Sequence, residues 1–308
     1  MLTAILLSLA GLVGLAIGGE LLVRGSVAIA QKLGVSHLFT GLVIVGFATS
    51  MPEMVASVQA ALDGSPGIAW GNIVGSNLAN TLMILGISAL VMPIALVGTG
   101  RRDAVTALGV TLLLWALALS GLGGRWIGIA LLALIVAYIV WRYRHPGAAL
   151  LEDDHDESAP TGTVISVMLF LVGLGILVAA GDALVTGAIE LATIFRVPDT
   201  VIGLTVVAVG TSLPELAASI AAAVRGKSAL AIGNVLGSNI YNILLIGGVT
   251  MGIAPTALPA DLLPLQLPLL AASAAALLAL LWFAKRIGRV LGALLLAAFV
   301  GNVVLVFA

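Results

Sequence analysis

The 308-residue chain contains no cysteine and three histidines, His37, His145 and His155. The first absence excludes disulfide frameworks, thiolate metal sites and cysteine nucleophiles, and leaves the redox compartment undetermined. The histidines fall in segments that read as loops or helix ends, which argues against a His-ligated metal centre. Charge is scarce too: charged residues make up 9% of the chain against 61% hydrophobic, a balance outside the range of water-soluble domains. With 13 Lys plus Arg and 14 Asp plus Glu, no basic excess points to nucleic acid and no acidic excess to a solvating tail, so the expected environment is a lipid bilayer. The first apolar run, residues 2–19, has no basic stretch before it and ends in Gly-Gly-Glu rather than at a small-residue cleavage site. It reads as a permanent span, not a signal peptide.

A span needs about 20 mainly apolar residues. Ten segments qualify: 3–23, 36–62, 68–94, 103–121, 126–143, 164–185, 198–224, 229–253, 259–283 and 287–307. The expected fold is therefore an all-α integral membrane protein with ten transmembrane helices. Basic residues in short loops resist translocation. With the N-terminus outside, Arg24, Lys32, Arg101, Arg102, Arg142, Arg144, Arg225, Lys227, Lys285, Arg286 and Arg289 lie on the cytoplasmic side, and Arg125 and Arg196 face out. That bias predicts both termini outside. The polar stretch 144–163 then becomes a cytoplasmic linker; its acidic run from Glu152 to Glu157 lacks the alternating ligands and Gly turn of an EF-hand loop and reads as a solvated connection.

The chain repeats itself. Residues 41–86 align with 203–248 at a constant offset of 162, without a gap and with 22 identities in 46 positions, too many for chance. The register continues upstream, pairing Gly19, Glu20, Val23 and Gly25 with Gly181, Asp182, Val185 and Gly187. Two halves follow, 1–143 and 164–308, joined by the linker 144–163. Each holds five spans, and since five is odd the halves enter the membrane with opposite orientation. Such inverted repeats suit alternating access to a site on the pseudo-twofold axis.

The most similar blocks are Thr49-Ser50-Met51-Pro52-Glu53 with Thr211-Ser212-Leu213-Pro214-Glu215, and the segments that begin Gly71-Asn72 and Gly233-Asn234 and end at Asn80 and Asn242. Glu53 and Glu215 fall past the middle of their spans, where an ionised side chain costs at least about 2.5 to 3.5 kcal/mol. No Lys or Arg lies in the central part of any span to compensate, so a bound cation is the natural partner. The alternative, two protonated structural glutamates, does not explain why the whole constellation is duplicated. Pro52 and Pro214 lack an N–H and should break their helices, releasing carbonyls near Gly46 to Thr49 and Ala208 to Thr211. Within a membrane such oxygens must line a cavity or bind something. Ser50 and Glu53 are three residues apart and Thr49 and Glu53 four, so their oxygens can share a face. The result is a hard oxygen site that favours sodium, calcium or magnesium over softer metals. Asn72, Ser76 and Asn80, like Asn234, Ser238 and Asn242, recur every four residues as a polar stripe. Asn72 and Asn234 read as packing or orienting groups, with the neighbouring glycines allowing close helix approach; Ser76, Asn80, Ser238 and Asn242 read as ligand oxygens.

At these residues the sequence resembles the sodium/calcium exchanger family, of prokaryotic type. The resemblance implies that Glu53 and Glu215 bind calcium with the carbonyls of Thr49 and Thr211, and that Ser50, Ser76, Ser212 and Ser238, with the Gly46 and Ala208 carbonyls, complete flanking sodium sites. Asn80 maps onto the family's polar position in the first repeat; at Asn242 many members carry an aspartate, which leaves stoichiometry and coupling ion open. It further implies sodium and calcium as transported ions, no cofactor, and a bacterial or archaeal plasma membrane, without the large regulatory domain of animal exchangers. The expected function is sodium/calcium antiport, with proton-coupled or potassium-dependent calcium exchange by the same fold as the alternative. An enzyme is not expected: no intramembrane His or base stands beside Ser50, Ser76, Ser212 or Ser238 to activate a nucleophile. A channel is disfavoured, because two buried carboxylates make a deep site and conduction needs easy release.

Overall fold

A computed structural model describes residues 1–96, 100–145, 162–194, 208–255 and 257–307. The order is α1 (Leu2–Leu33), α2 (His37–Thr49), α3 (Met51–Leu62), α4 (Pro66–Val91), α5 (Arg101–Ser120), α6 (Arg125–Arg144), α7 (Thr163–Ile194), α8 (Ala208–Gly210), α9 (Leu213–Val224), α10 (Ser228–Ile253), α11 (Gln266–Phe283) and α12 (Arg289–Phe307). Among the described residues seven helices are long and apolar enough to cross a bilayer alone, or eight if the pair α2 and α3, bent by 44°, is counted as one span. α9 and the apolar part of α12 are shorter. Residues 198–207, which open the seventh expected span, lie outside the described residues, as do Arg196, His155 and the acidic run of the linker.

Two of the helices outrun the spans expected from hydropathy. α1 continues past residue 23 to Leu33, and α7 past 185 to Ile194. A 32-residue helix is about 48 Å long at 1.5 Å per residue, against a hydrocarbon core of about 30 Å. Arg24 and Lys32 therefore sit on the last turns of α1 rather than in a loop. The helix stops at Gly34, whose φ of 63° only glycine adopts cheaply.

α1 and α7 run antiparallel along their length. A Cβ added at Gly11 would lie 2.6 Å from Leu184 Cβ, one at Gly14 2.6 Å from Ala180 Cβ, and one at Gly25 2.5 Å from Phe170 N. In return, a Cβ at Gly173 would meet Leu22 N at 2.5 Å. Small residues let these backbones approach where lipid gives no hydrophobic drive to associate. The opposite face of α1, with Leu6, Leu9, Leu12, Val13 and Ile17, is exposed and suits lipid. Gly11 and Gly173 thus face the seam between α1 and α7, not the core of the bundle.

α4 and α10 form the buried centre, while α1, α5, α6, α7 and α11 turn most of their surface outward. α10 packs on α2 because Gly233 and Gly237 admit its backbone: a Cβ there would stand 2.5 Å from Leu38 O and 2.4 Å from Leu42 O respectively. The positions matching Leu38 and Leu42 in the other half are 200 and 204, outside the described residues, so the corresponding seam of Gly71 and Gly75 is not described. Gly64 and Gly226, 162 residues apart, both take left-handed φ (74° and 73°) in the turns that feed α4 and α10. A two-residue antiparallel pair, β1 (Ile94–Ala95) with β2 (Arg286–Ile287), ties the halves together at one end. Between α5 and α6, buried Asp103 accepts from Arg142 Nε at 2.8 Å and from the Tyr138 hydroxyl at 2.9 Å. Breaking such a buried pair typically costs 3–5 kcal/mol, so it fastens these two helices.

Candidate cation site

The chain breaks at Ser50 (φ −80°, ψ 6°), and Pro52 enters α3 in its first turn, where a missing N–H is harmless. Pro214 enters α9 in the same way after Ser212 (φ −90°, ψ 7°). The expected helix breaks are therefore present, and they place Glu53 and Glu215 in the first turns of α3 and α9.

To the expectation that Ser50 and Glu53 can share a face, the hydrogen bonding adds pairings between the two repeats. Ser50 Oγ donates to Glu215 Oε1 at 3.1 Å, and Ser212 Oγ donates to Glu53 Oε1 at 2.9 Å. Each serine, at the break before its own helix, donates to the carboxylate of the opposite half. The Gly46 carbonyl is also less free than proline alone suggests: Ser50 N–H donates to it at 3.2 Å, and Ser238 Oγ reaches it at 3.5 Å. Thr49 Oγ1 has two acceptors in reach, Val45 O at 3.0 Å and Asn234 Oδ1 at 3.2 Å. Thr211 stands in the break between α8 and α9, and Ala208 opens α8 directly after the undescribed segment.

Asn72 and Asn234 act as orienting groups. Asn72 Nδ2 donates to Glu53 O (3.2 Å) and to Ser57 Oγ (3.0 Å); Asn234 Nδ2 donates to Glu215 O (3.2 Å) and Ser219 Oγ (2.9 Å). These bonds hold the first turns of α3 and α9 against α4 and α10 in matching registers. Ser57 and Ser219 were not singled out in the sequence, although their own spacing of 162 was a usable signal.

Around this frame lies a set of buried polar atoms with no hydrogen-bond partner: Glu53 Oε2, Glu215 Oε2, Ser76 Oγ, Asn80 Oδ1, and both Oδ1 and Nδ2 of Asn242. Buried polar groups are ordinarily satisfied, at a cost of about 1–3 kcal/mol each when they are not. The oxygens of Ser76, Asn80 and Asn242, on α4 and α10 where these pack against α3 and α9, are groups that a hard cation would satisfy. Among the described residues the only other buried acid is Asp103, which Arg142 and Tyr138 already occupy. Among the described buried acids, Glu53 and Glu215 are therefore the two without a basic partner.

The fold and this oxygen-rich interior together define a multi-spanning helical membrane transporter rather than an enzyme. A model of the sodium/calcium exchanger protein family matches residues 3–144 and 165–308. The chain is 37% identical to CaxA of Alkalimonas amylolytica, a protein named as an antiporter, over 100% of this chain and 99% of that one. It is 30% identical to the sodium/calcium exchanger MaX1 of Methanosarcina acetivorans, over 80% and 81% of the two chains. Among solved structures, that of the sodium-calcium exchanger NCX_Mj soaked with zero Na+ and Ca2+ superposes with a TM-score of 0.87 at 30% identity, covering 99% of both chains. The chain belongs to the sodium/calcium exchanger protein family.

Proposed function

We propose that this protein exchanges sodium for calcium across a prokaryotic plasma membrane, three sodium ions for one calcium, by alternating access to the site around Glu53 and Glu215. In this reading ten spans form two inverted halves, 1–143 and 164–308, with both termini outside; α9 belongs to the seventh span, expected over 198–224, and α12 to the tenth. The antiparallel run of α1 against α7, which share sequence register at the offset of 162, supports the inversion.

The observation that carries the reading is the crossed pair of serine–carboxylate bonds, Ser50 to Glu215 and Ser212 to Glu53, which leaves one oxygen of each carboxylate unpartnered beside Ser76, Asn80 and Asn242. Calcium takes six to eight oxygens, and carboxylate, amide, hydroxyl and backbone oxygens from both halves can supply them. Glu53 and Glu215 with the Thr49 and Thr211 carbonyls would hold calcium. Ser50, Ser212, Ser76 and Ser238, with the Gly46 and Ala208 carbonyls, would complete sodium positions, and Asn80 and Asn242 would add neutral oxygens. A site on the pseudo-twofold axis is equivalent from both sides, and the first and sixth spans, α1 and α7, serve as the moving gate that exposes it to either one.

Charge fixes the electrical consequence. With two carboxylates the site is neutral with one calcium and +1 with three sodium ions, so each cycle moves one net charge. Calcium flux into proteoliposomes under separately imposed sodium, proton and potassium gradients tests this. Uptake driven by an outward sodium gradient is expected, and uptake driven by a pH gradient without sodium would favour proton coupling, since two protons on Glu53 and Glu215 also neutralise the site.

A further inference from the structure

The two halves of the site differ in one respect that the repeat does not suggest. Asn80 and Asn242 occupy the same position, 162 residues apart, and both are buried. Asn80 is tethered: its Nδ2 donates to Asn239 Oδ1 at 3.1 Å, and Asn239 Nδ2 in turn donates to Thr81 Oγ1 at 2.9 Å. With its nitrogen so engaged, Asn80 has its oxygen left over, and that oxygen is one of the unpartnered atoms. The matching chain in the other half would run from Asn242 through Asn77 to residue 243. Residue 243 is isoleucine, which has no acceptor. Asn77 instead donates its Nδ2 to the backbone carbonyl of Asn239 at 3.3 Å, its Oδ1 stays unpartnered, and both polar atoms of Asn242 are left without a bond.

We propose that Asn239, held by Thr81, is a positioning residue for the cation site: it fixes the Asn80 amide with its oxygen toward the cargo, while Asn242, lacking an equivalent tether, remains free to turn. The inference rests on the cation reading of the site. An amide has one face that suits a cation and one that repels it, so a tether removes the wrong face in advance and spares the ordering cost at binding. Asn242 can present its oxygen to a cation or its N–H to a carboxylate when the cation leaves. The site thus combines one rigid amide with one adjustable one.

The test is the calcium KM and kcat of sodium-driven uptake in proteoliposomes, with equilibrium calcium binding measured on the purified full-length protein. Thr81→Val keeps the shape and removes the acceptor; the expected result is a roughly three- to tenfold rise in calcium KM, the scale of one hydrogen bond, with kcat retained. Thr81→Ser restores the acceptor and should restore the KM. An unchanged KM in Thr81→Val, or a Thr81→Ser as impaired as Thr81→Val, would overturn the proposal, the second because the methyl group's packing would then be what matters. Should Thr81→Val fail to give a monodisperse protein, Ile243→Thr carries the test from the other side: it supplies the missing acceptor and should lower the calcium KM, and no change would count against the tether. Glu53→Gln and Asn80→Ala separate the two levels. If they lose calcium binding while Thr81→Val does not, the tether is wrong and the site stands; if they bind calcium normally, the site itself is misplaced.

Discussion

Glu53 and Glu215 lie at the repeat offset and in matching settings, each accepting from the serine of the other half and each with its backbone carbonyl capped by an asparagine. Glu20 and Asp182 share the same offset and have unlike surroundings. Glu20 is gripped by Arg24, at 2.7 Å, and by Arg225, which joins α1 to the end of α9. The positions that match Arg24 and Arg225 are Thr186 and Asp63, neither of which supplies a positive charge. α1 also rests directly on α9, where a Cβ at Gly19 would meet Ala217 O at 2.9 Å, whereas at Gly181 the nearest atom found, Leu213 Cβ, is 3.9 Å away. The two carboxylates thus match, whereas the rims do not, the Arg225 clamp on Glu20 belonging to one half's register alone.

The strongest way to break this comparison is at the centre. Glu53→Gln and Glu215→Gln should each abolish calcium exchange in reconstituted vesicles with the protein still folded, because the remaining carboxylate cannot neutralise a divalent ion in a dry site. Near-normal flux in either mutant, or loss in one and not the other, would contradict the equivalence. Next in size is the glycine seam. Gly11→Trp and Gly173→Trp force a large side chain where even a Cβ stands within 2.6 Å and 2.5 Å of the facing helix. Exchange should slow by roughly tenfold or more, as overpacking of about 2 kcal/mol falls on the seam between α1 and α7, with less effect on equilibrium cation binding. Equal loss of both would mark a collapsed fold.

The apolar background made the site legible from the sequence. Against it, a Glu after a Pro, or an Asn every four residues, stands out, and duplication at one offset separated the functional residues from incidental ones. What the sequence left hidden was pairing across the halves. Local spacing relates Ser50 to Glu53 three residues on, whereas its hydroxyl donates to Glu215, 165 residues away. The Asn239–Thr81 tether was hidden for a related reason: it lies where the halves disagree, Thr81 against Ile243, and a search for repetition passes over mismatches. The ends of α1 and α7 were missed because hydropathy marks the bilayer's thickness and not where the hydrogen-bond ladder stops.

Smaller effects sharpen the comparison. Ser50→Ala and Ser212→Ala should raise the calcium KM by similar factors, about tenfold each if a hydrogen bond to a charged group contributes about 1.5 kcal/mol, and a several-fold inequality in transport assays would show that the carboxylate settings differ as those of Asn80 and Asn242 do. Arg225→Gln, which cuts the clamp on Glu20, should have the smallest effect. The pair is partly exposed, so less than about 1 kcal/mol is expected, a two- to fourfold shift in apparent calcium affinity that fades at high salt. That shift should differ between the two faces of the membrane, measured in right-side-out and inside-out vesicles; an equal shift on both would remove the clamp from any role in the balance of states.

The central claim, a two-carboxylate site exchanging three sodium ions for one calcium, is tested most directly by voltage. Calcium uptake against outward sodium, in proteoliposomes clamped with potassium and valinomycin, carries one positive charge out per cycle and should accelerate as the interior is made positive. Uptake indifferent to voltage, or sustained by a pH gradient in the absence of sodium, would contradict it.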